Sequence, residues 1–156
     1  MTSSLRPGHL LRAAFVLVVT SGCGNSLGPT DLVGRYTLAR VNEAPPPQVV
    51  GATISCDLLL TGGRLELRTS DWSALTLDQR QDCSRVGGPT SVTSLLYLGT
   101  FHVTGSTLTF ETLRSIDDTL RFAGQIALGG VTLSVSDVVR GLPGPIALQF
   151  GPRQPL

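Results

Sequence analysis

The chain has 156 residues, of which 41% are hydrophobic and 15% are charged, a length and composition typical of one globular domain. All twelve basic residues are arginines, set against eleven acids, and the arginines form no run or patch along the sequence. Because protein affinity for nucleic acid comes mostly from neutralised phosphates, this charge distribution disfavours a nucleic-acid-binding protein, and we expect no nucleic-acid partner.

The first 22 residues are typical of a secretory signal peptide. Arg6 and Arg12 lie on the N-terminal side of the apolar run 13–19, and the small residues 20–22 follow it. A run of seven apolar residues is too short to span a bilayer, which needs about 20. The sequence therefore predicts a signal peptide over residues 1–22 rather than a membrane-spanning helix.

Cys23 comes directly after these small residues, and the segment 20–24 resembles the lipobox of bacterial lipoproteins. The resemblance implies that the Cys23 thiol carries a diacylglycerol and that acyl chains such as palmitate anchor the protein. Gly24 in place of Asp is similar to the outer-membrane-directed form in bacteria with two membranes. We expect a cell-envelope protein in which residues 23–32 are the lipidated cysteine and a tether. The alternative is an ordinary secretory signal with an incidental thiol.

Two further cysteines, Cys56 and Cys83, are expected to form a disulfide. An exported protein resides in an oxidising compartment, where paired cysteines normally oxidise. The bond closes 26 intervening residues and is expected to contribute about 3 kcal/mol. Free thiols, or a metal site that adds His102 to both thiolates, are the alternatives. Since the spacing matches no zinc pattern, we expect no metal and no other cofactor.

From residue 33 onward the sequence alternates between apolar and polar residues, which is the period-two pattern of β-strands. Strands are predicted over residues 34–42, 52–60, 64–70, 74–80, 92–103, 107–113, 118–126, 131–138 and 145–150. Residue pairs that contain glycine and suit two-residue hairpin turns separate several of these strands, namely Gly62-Gly63, Gly105-Ser106 and Gly129-Gly130.

An antiparallel meander of this size hides its strand edges by closing on itself. The sequence therefore predicts an all-β domain over residues 33–156, a small eight-stranded up-and-down barrel. An open β-sandwich is the alternative fold. We expect a closed barrel on a short tether to be a monomer.

Two segments are similar to bacterial lipocalin-like lipoproteins. Residues 34–45 resemble the opening of that family, and residues 99–110 resemble its central hairpin. Gly34-x-Tyr36 also resembles the Gly-x-Trp motif of lipocalins, in which an arginine near the last strand packs over the aromatic ring; Arg153 is the counterpart here. The resemblance implies a calyx-like barrel that holds a small apolar ligand or lipid and carries no catalytic residues.

The apolar interior of this barrel is the candidate ligand site. The residues expected to line it are Leu65, Leu67, Leu108, Phe110, Leu120, Phe122, Leu133 and Phe150. A filled core is the competing interpretation, because eight strands enclose a space that side chains alone can fill. The protein is then a structural or adaptor lipoprotein that acts through protein contacts, for instance at Trp72 or at prolines 45–47. We expect Trp72 in a loop, as an exposed ligand contact or as a plug of the barrel end.

Candidate catalytic groups are scarce. His102 alternates with Phe101 and Val103 and is therefore expected to point outward. The adjacent residues Asp117 and Asp118 would face opposite ways on a strand, so we expect a solvated turn there rather than an acid–base pair. The sequence contains no nucleophile elbow, phosphate loop or zinc-protease motif. We therefore expect a protein that is not an enzyme.

Overall fold

The computed structural model describes residues 29–115, 118–127, 130–135 and 145–156. The predicted signal peptide and Cys23 lie outside the described residues, as do Asp117 and Gly129 of two predicted turns. Side chains are not described at residues 29–30, 113–115, 118–120 and 135, so only the backbone of Leu120 is described.

Nine strands and two short 3-10 helices make up the described part of the chain. The strands are β1 (Gly34–Val41), β2 (Gln48–Ala52), β3 (Asp57–Leu67), β4 (Trp72–Asp82), β5 (Thr90–Thr104), β6 (Thr107–Ser115), β7 (Asp118–Ala127), β8 (Gly130–Val135) and β9 (Ile146–Phe150). One 3-10 helix, Pro29–Leu32, precedes β1, and the other, Ser84–Val86, follows β4. The prediction of an all-β fold is confirmed.

Eight of these strands close into an antiparallel barrel. Each strand from β3 to β8 pairs with the next strand in the chain. β9 then pairs with β1, and β1 also pairs with β3, which closes the ring. In this last pair Arg35 lies opposite Glu66, and Tyr36 lies opposite Leu65. The predicted eight-stranded barrel is therefore confirmed, and the open sandwich is excluded.

The ninth strand, β2, lies outside the ring. It pairs with the first half of β3, residues 57–60, whereas β1 pairs with the second half, residues 64–67. The strand ends that continue past β1 form a small sheet with β2. We call this sheet the extension, and it comprises residues 48–60, 78–83 and 90–94.

A disulfide between Cys56 and Cys83 closes the outer end of the extension, as predicted. Cys56 directly precedes β3 and Cys83 directly follows β4, next to the paired residues Asp57 and Asp82. The two Cα atoms are 4.1 Å apart. The bond therefore joins two strand ends that are already neighbours in the sheet.

The predicted hairpin turn at Gly62-Gly63 is wrong. Both glycines lie inside β3, at a shift of its register against β4. A Cβ atom on Gly63 would lie 2.8 Å from the carbonyl oxygen of Thr76 and 2.9 Å from a methyl carbon of Leu77. Glycine here allows the close approach of a neighbouring strand, which is its other common role inside a sheet.

As a result, the single strand β3 covers residues 57–60 and 64–67 of the two strands predicted over residues 52–60 and 64–70. The chain reverses earlier, between β2 and β3, where the backbone N–H of Thr53 donates to the carbonyl of Cys56 at 2.8 Å. The turn predicted at Gly105-Ser106 is present between β5 and β6, and Gly105 has a φ of 62° there.

Inward-facing side chains pack together along the whole ring. They include Leu65, Leu67, Leu77, Leu108, Leu133 and Leu148, each 0% exposed, and Phe101, Phe110, Phe122 and Phe150, which are 1–3% exposed. Tyr97 meets the Phe122 ring edge-on with 5.5 Å between ring centres. The period-two alternation of the sequence thus becomes one continuous apolar core.

The direction of the strands defines two ends of the barrel. The lower end holds the start of β1, the turns 68–71 and 105–106, and the C-terminal segment 151–156. The helix Pro29–Leu32 also lies there, because the Tyr36 hydroxyl donates to the carbonyl of Leu32 at 2.8 Å. The upper end holds the loop 42–47 and the extension. The described part of the chain therefore begins at the lower end of the barrel.

Candidate functional site

The predicted ligand-site residues lie in the barrel interior. Those with described side chains are Leu65, Leu67, Leu108, Phe110, Phe122, Leu133 and Phe150, and all are between 0 and 3% exposed. A side chain with no exposed surface has no water-sized space against it, open or enclosed. In this structure, protein atoms therefore fill the interior around the four leucines, which are 0% exposed.

Three buried polar side chains interrupt this apolar interior, those of Ser73, Gln79 and Thr112. Gln79 is 7% exposed and Thr112 is 3% exposed. Neither Gln79 Nε2 nor Thr112 Oγ1 has a hydrogen-bond partner, a deficit that costs about 1–3 kcal/mol for each group. Sequence reasoning missed both residues, although each stands two positions after an inward-facing residue, Leu77 or Phe110.

Tyr36 and Arg153 lie side by side at the lower end. The Arg153 guanidinium donates to the carbonyl of Asp31, and a Cβ atom on Gly34 would lie 2.5 Å from Arg153 Cγ. Burial raises the pKa of Tyr36, and the positive charge of Arg153 opposes that rise. Arg153 is therefore close enough to Tyr36 for its charge to act on the phenol.

A hollow of about 490 Å³ adjoins this pair, lined by Val33, Thr69, Arg153, Pro155 and Leu156. Its walls combine the apolar side chains of Val33, Pro155 and Leu156 with the hydroxyl of Thr69 and the guanidinium of Arg153. The hollow belongs to the outside of the lower end, and it is separate from the packed interior.

Three arginines surround one glutamate on the outer face of β1 and β3. The carboxylate oxygens of Glu66 lie 3.1 Å from Arg35 Nε, 3.2 Å from Arg68 NH2 and 3.5 Å from Arg64 Nε. The Glu66 side chain is 12% exposed, whereas those of the arginines are 42–55% exposed. Burial alone would raise the pKa of Glu66, but the hydrogen bond from Arg68 and the charges of Arg35 and Arg64 outweigh it and lower that pKa.

This cluster escaped the sequence analysis because it depends on the pairing of distant strands. Arg35 is 31 positions from Glu66 in the chain, and the closing pair of the barrel places the two residues opposite each other. The arginines that form no patch along the sequence therefore form one on the surface. The only sequence signal was local, the alternating triplet Arg64, Glu66 and Arg68 on one face of a strand.

Trp72 belongs to the same outer surface. It is the first residue of β4 rather than a loop residue, and the next residue, Ser73, is buried inside the ring. Alternation therefore points Trp72 outward, so it is not a plug of the barrel end. The Arg68 guanidinium carbon lies 5.0 Å from the centre of its ring, a cation–π distance.

The outer surface continues from the arginines onto exposed leucines. Two cross-strand rows connect them, Arg35–Glu66–Ala74–Leu98 and Arg64–Thr76–Leu96. Leu96 and Leu98 are 50% and 46% exposed. We call this surface the arginine face, and it comprises Arg35, Arg64, Glu66, Arg68, Trp72, Ala74, Thr76, Leu96 and Leu98.

His102 is exposed on the outer side of β5, while Phe101 is buried, in agreement with the predicted orientation. Within the described ranges, no three His, Cys, Asp or Glu residues are grouped closely enough to hold a metal ion. The same ranges contain no helix of sufficient length and apolar character to cross a membrane.

Comparisons with protein-family models, with curated proteins and with solved structures found no match. The packed interior and the arginine face are therefore the two features of the domain that bear on its function.

Proposed function

We propose that this chain is a lipid-anchored protein of the bacterial cell envelope whose barrel is a filled scaffold that acts through its outer surface. The observation that carries the scaffold is the zero exposure of inward-facing leucines such as Leu65, Leu108 and Leu133. Ligand pockets usually enclose about 300 Å³ or more, and opening such a space here would separate a packed core. The outer surface is therefore the working part of the domain.

The lipobox resemblance at Cys23 supports the anchor. Five residues separate Cys23 from Pro29, where the described domain begins, and their covalent geometry allows a reach of about 20 Å. Since the described part of the chain begins at the lower end, the proposal places that end within about 20 Å of the membrane surface.

The anchor is tested by expressing the full chain and its Cys23→Ser variant in a bacterium with two membranes. We expect the unmodified chain in the outer-membrane fraction, with an intact mass that begins at Cys23 and includes acyl chains. The variant should carry no acyl mass and should leave that fraction. A wild-type chain released without acyl mass would rule out the anchor.

A second candidate function, transport or storage of a small apolar ligand, is favoured by the unpartnered groups of Gln79 and Thr112. A ligand with a carbonyl or carboxylate head would accept the hydrogen bond that the Gln79 amide does not make in the closed barrel. The lipocalin-like fold is compatible with such a role.

Native mass spectrometry of the purified protein with added palmitate separates the two candidates. A filled scaffold gives no stoichiometric adduct. A carrier gives one palmitate per chain, and this adduct weakens in Gln79→Leu but persists in Gln81→Leu, whose side chain is exposed on the same strand. A specific adduct of this kind would replace the scaffold proposal with the carrier.

A further inference from the structure

We propose that the arginine face docks on the phosphate headgroups of an anionic phospholipid membrane and so lays the side of the barrel against the surface. This inference rests on the proposed lipid anchor, which supplies the proximity. The docking itself rests on the charge, the free donors and the apolar rim of the face.

The charge of the cluster is not balanced internally. Three guanidinium groups share the single carboxylate of Glu66, so the cluster carries an excess of two positive charges. Glu66 is also the only acid in the two cross-strand rows that connect the arginines with Leu96 and Leu98. An anionic partner can therefore approach the arginines without meeting a second carboxylate in these rows.

The arginines also keep hydrogen-bond donors for a partner. Each guanidinium has five N–H donors, and Arg35 contacts Glu66 through Nε alone, with a side chain that is 42% exposed. Arg64 and Arg68 are more exposed, at 51% and 55%. A guanidinium can donate two parallel N–H groups to the paired oxygens of a phosphate.

The rest of the face suits the boundary between headgroups and acyl chains. Leu96 and Leu98 expose about half of their surface, and Trp72 lies under the Arg68 guanidinium. Tryptophan is enriched at this boundary because its ring is apolar and its N–H is polar. Neighbouring strands are about 4.8 Å apart, so the arginines on β1 lie about 14 Å from the leucines on β5. This places phosphate-binding and apolar groups side by side on one surface.

A lipid surface is preferred over a free phosphate or an acidic protein because of where the face lies. Arg35 is the second residue of β1 and lies directly after the segment that leads to the tether. An arginine near an anionic membrane raises binding about fivefold. That contribution is weak for a free domain, but it is sufficient to orient a domain that an anchor already holds at high effective concentration.

Trp72 is the only tryptophan of the chain, and its fluorescence therefore reports on this face. The full chain, purified from the envelope of the expressing bacterium, is placed on vesicles of phosphatidylcholine alone and on vesicles with about 30% phosphatidylglycerol, each with brominated acyl chains as quenchers. We expect strong quenching of Trp72 only on the anionic vesicles, with a loss of quenching when the ionic strength is raised.

The charge is tested with Arg35→Gln combined with Arg64→Gln, which leaves Arg68 over the Trp72 ring. This comparison uses chains that lack the acyl group. The combined variant should bind anionic vesicles with an apparent affinity about 25-fold lower than that of the chain with both arginines, as measured by the quenching of Trp72. Arg121→Gln is the matched control, because Arg121 pairs with Glu111 at 2.9 Å outside the arginine face, and it should behave as wild type. Unchanged far-ultraviolet circular dichroism confirms that each variant is folded.

The outcomes separate the docking from the anchor. A chain that sediments with both vesicle types but shows no anionic quenching retains the anchor and overturns the docking. A chain that sediments only with anionic vesicles and is quenched there supports the docking and refutes the anchor. Inorganic phosphate at the same phosphate concentration should leave the fluorescence of Trp72 unchanged. A change in that fluorescence with phosphate alone would overturn the lipid as the partner.

Discussion

The ring and the extension are built from the same strands, β3, β4 and β5, but different interactions hold them. Inside the ring, Leu65 and Tyr97 on these strands are buried, with exposed fractions of 0% and 2%. In the extension, all residues of β5 from 90 to 94 are exposed, and Val92 is 71% exposed. The covalent bond between Cys56 and Cys83 lies at the outer end of this second region.

Because the ring and the extension share these strands, closure of the ring, rather than strand propensity, creates the core. A strand inside a closed ring has one face covered from all sides, so its alternating residues are buried. Where β3 leaves β1 and pairs with β2, Leu60 and Gln79 next to the ring are still buried, and the enclosure ends beyond them. Ile54 and Val86, near the outer end, are then 98% and 59% exposed, and the disulfide limits the opening of strands that little packing restrains.

The largest expected effect comes from shortening a side chain inside the ring. Leu133→Ala should lower the free energy of unfolding by about 3–5 kcal/mol, because Leu133 is 0% exposed and its loss leaves a cavity. Leu98→Ala, the same change on the outer face, should cost less than about 1 kcal/mol. Chemical denaturation measures both, and equal losses would refute the packed interior.

Removal of the disulfide should have a more local effect. Combined Cys56→Ser and Cys83→Ser should cost about 3 kcal/mol at most, and amide hydrogen exchange should speed up first in β2 and in the adjoining ends of β3 and β4. Amides in β7 and β8 of the same sample are the internal control. Uniform acceleration across both regions would mean that the extension and the ring unfold as one unit.

At the lower end, Tyr36→Phe should cost about 1 kcal/mol, because it removes the hydrogen bond to the carbonyl of Leu32. The raised pKa of Tyr36 adds an alkaline dependence. A group whose pKa is higher in the folded state stabilises the fold below its ordinary pKa, here 10.0, and this contribution is lost as the pH rises through the raised value.

Tyr36→Phe should therefore flatten part of the alkaline fall in unfolding free energy. Tyr97→Phe, the same change at the other tyrosine of the chain, should leave the Tyr36 part in place. A series of denaturation curves between about pH 8 and 11 provides the measurement; identical alkaline slopes for wild type and Tyr36→Phe would contradict the assignment.

The smallest effect is expected on the arginine face. Glu66→Gln should cost about 1 kcal/mol or less at neutral pH, as is usual for ion pairs near the surface. Because the pKa of Glu66 is lowered from its ordinary value of 4.5, its contribution is complete above that pH and is lost as the pH falls through the lowered value. Wild type and variant should therefore converge in acid.

Glu111→Gln is the control variant, because it removes the partner of a single arginine, Arg121. Glu66→Gln should show the larger stability difference from wild type at neutral pH, since Glu66 has three arginine partners. A Glu66→Gln variant as stable as wild type at every pH would show that the cluster contributes nothing to the fold.

Much of the fold could be predicted from the sequence because alternation is a local property. Leu65 and Leu67, for example, face inward as their spacing of two residues requires, and the Cys56–Cys83 pairing follows from the number of cysteines once Cys23 is assigned to the anchor. The turn at Gly62-Gly63 could not be predicted correctly, since a glycine pair is equally compatible with a hairpin and with a strand that another backbone approaches closely.

The alternation of apolar and polar residues in the sequence specifies which side chains face inward and outward, and it therefore predicts an all-β chain with an apolar core. Which outward residues become neighbours depends on the pairing of the strands in the folded barrel. Arg35 and Glu66 meet because β1 closes the ring against β3 in one register, and a shift by one residue would place them on opposite faces. That register is fixed by packing among strands distant in sequence, and no local pattern specifies it.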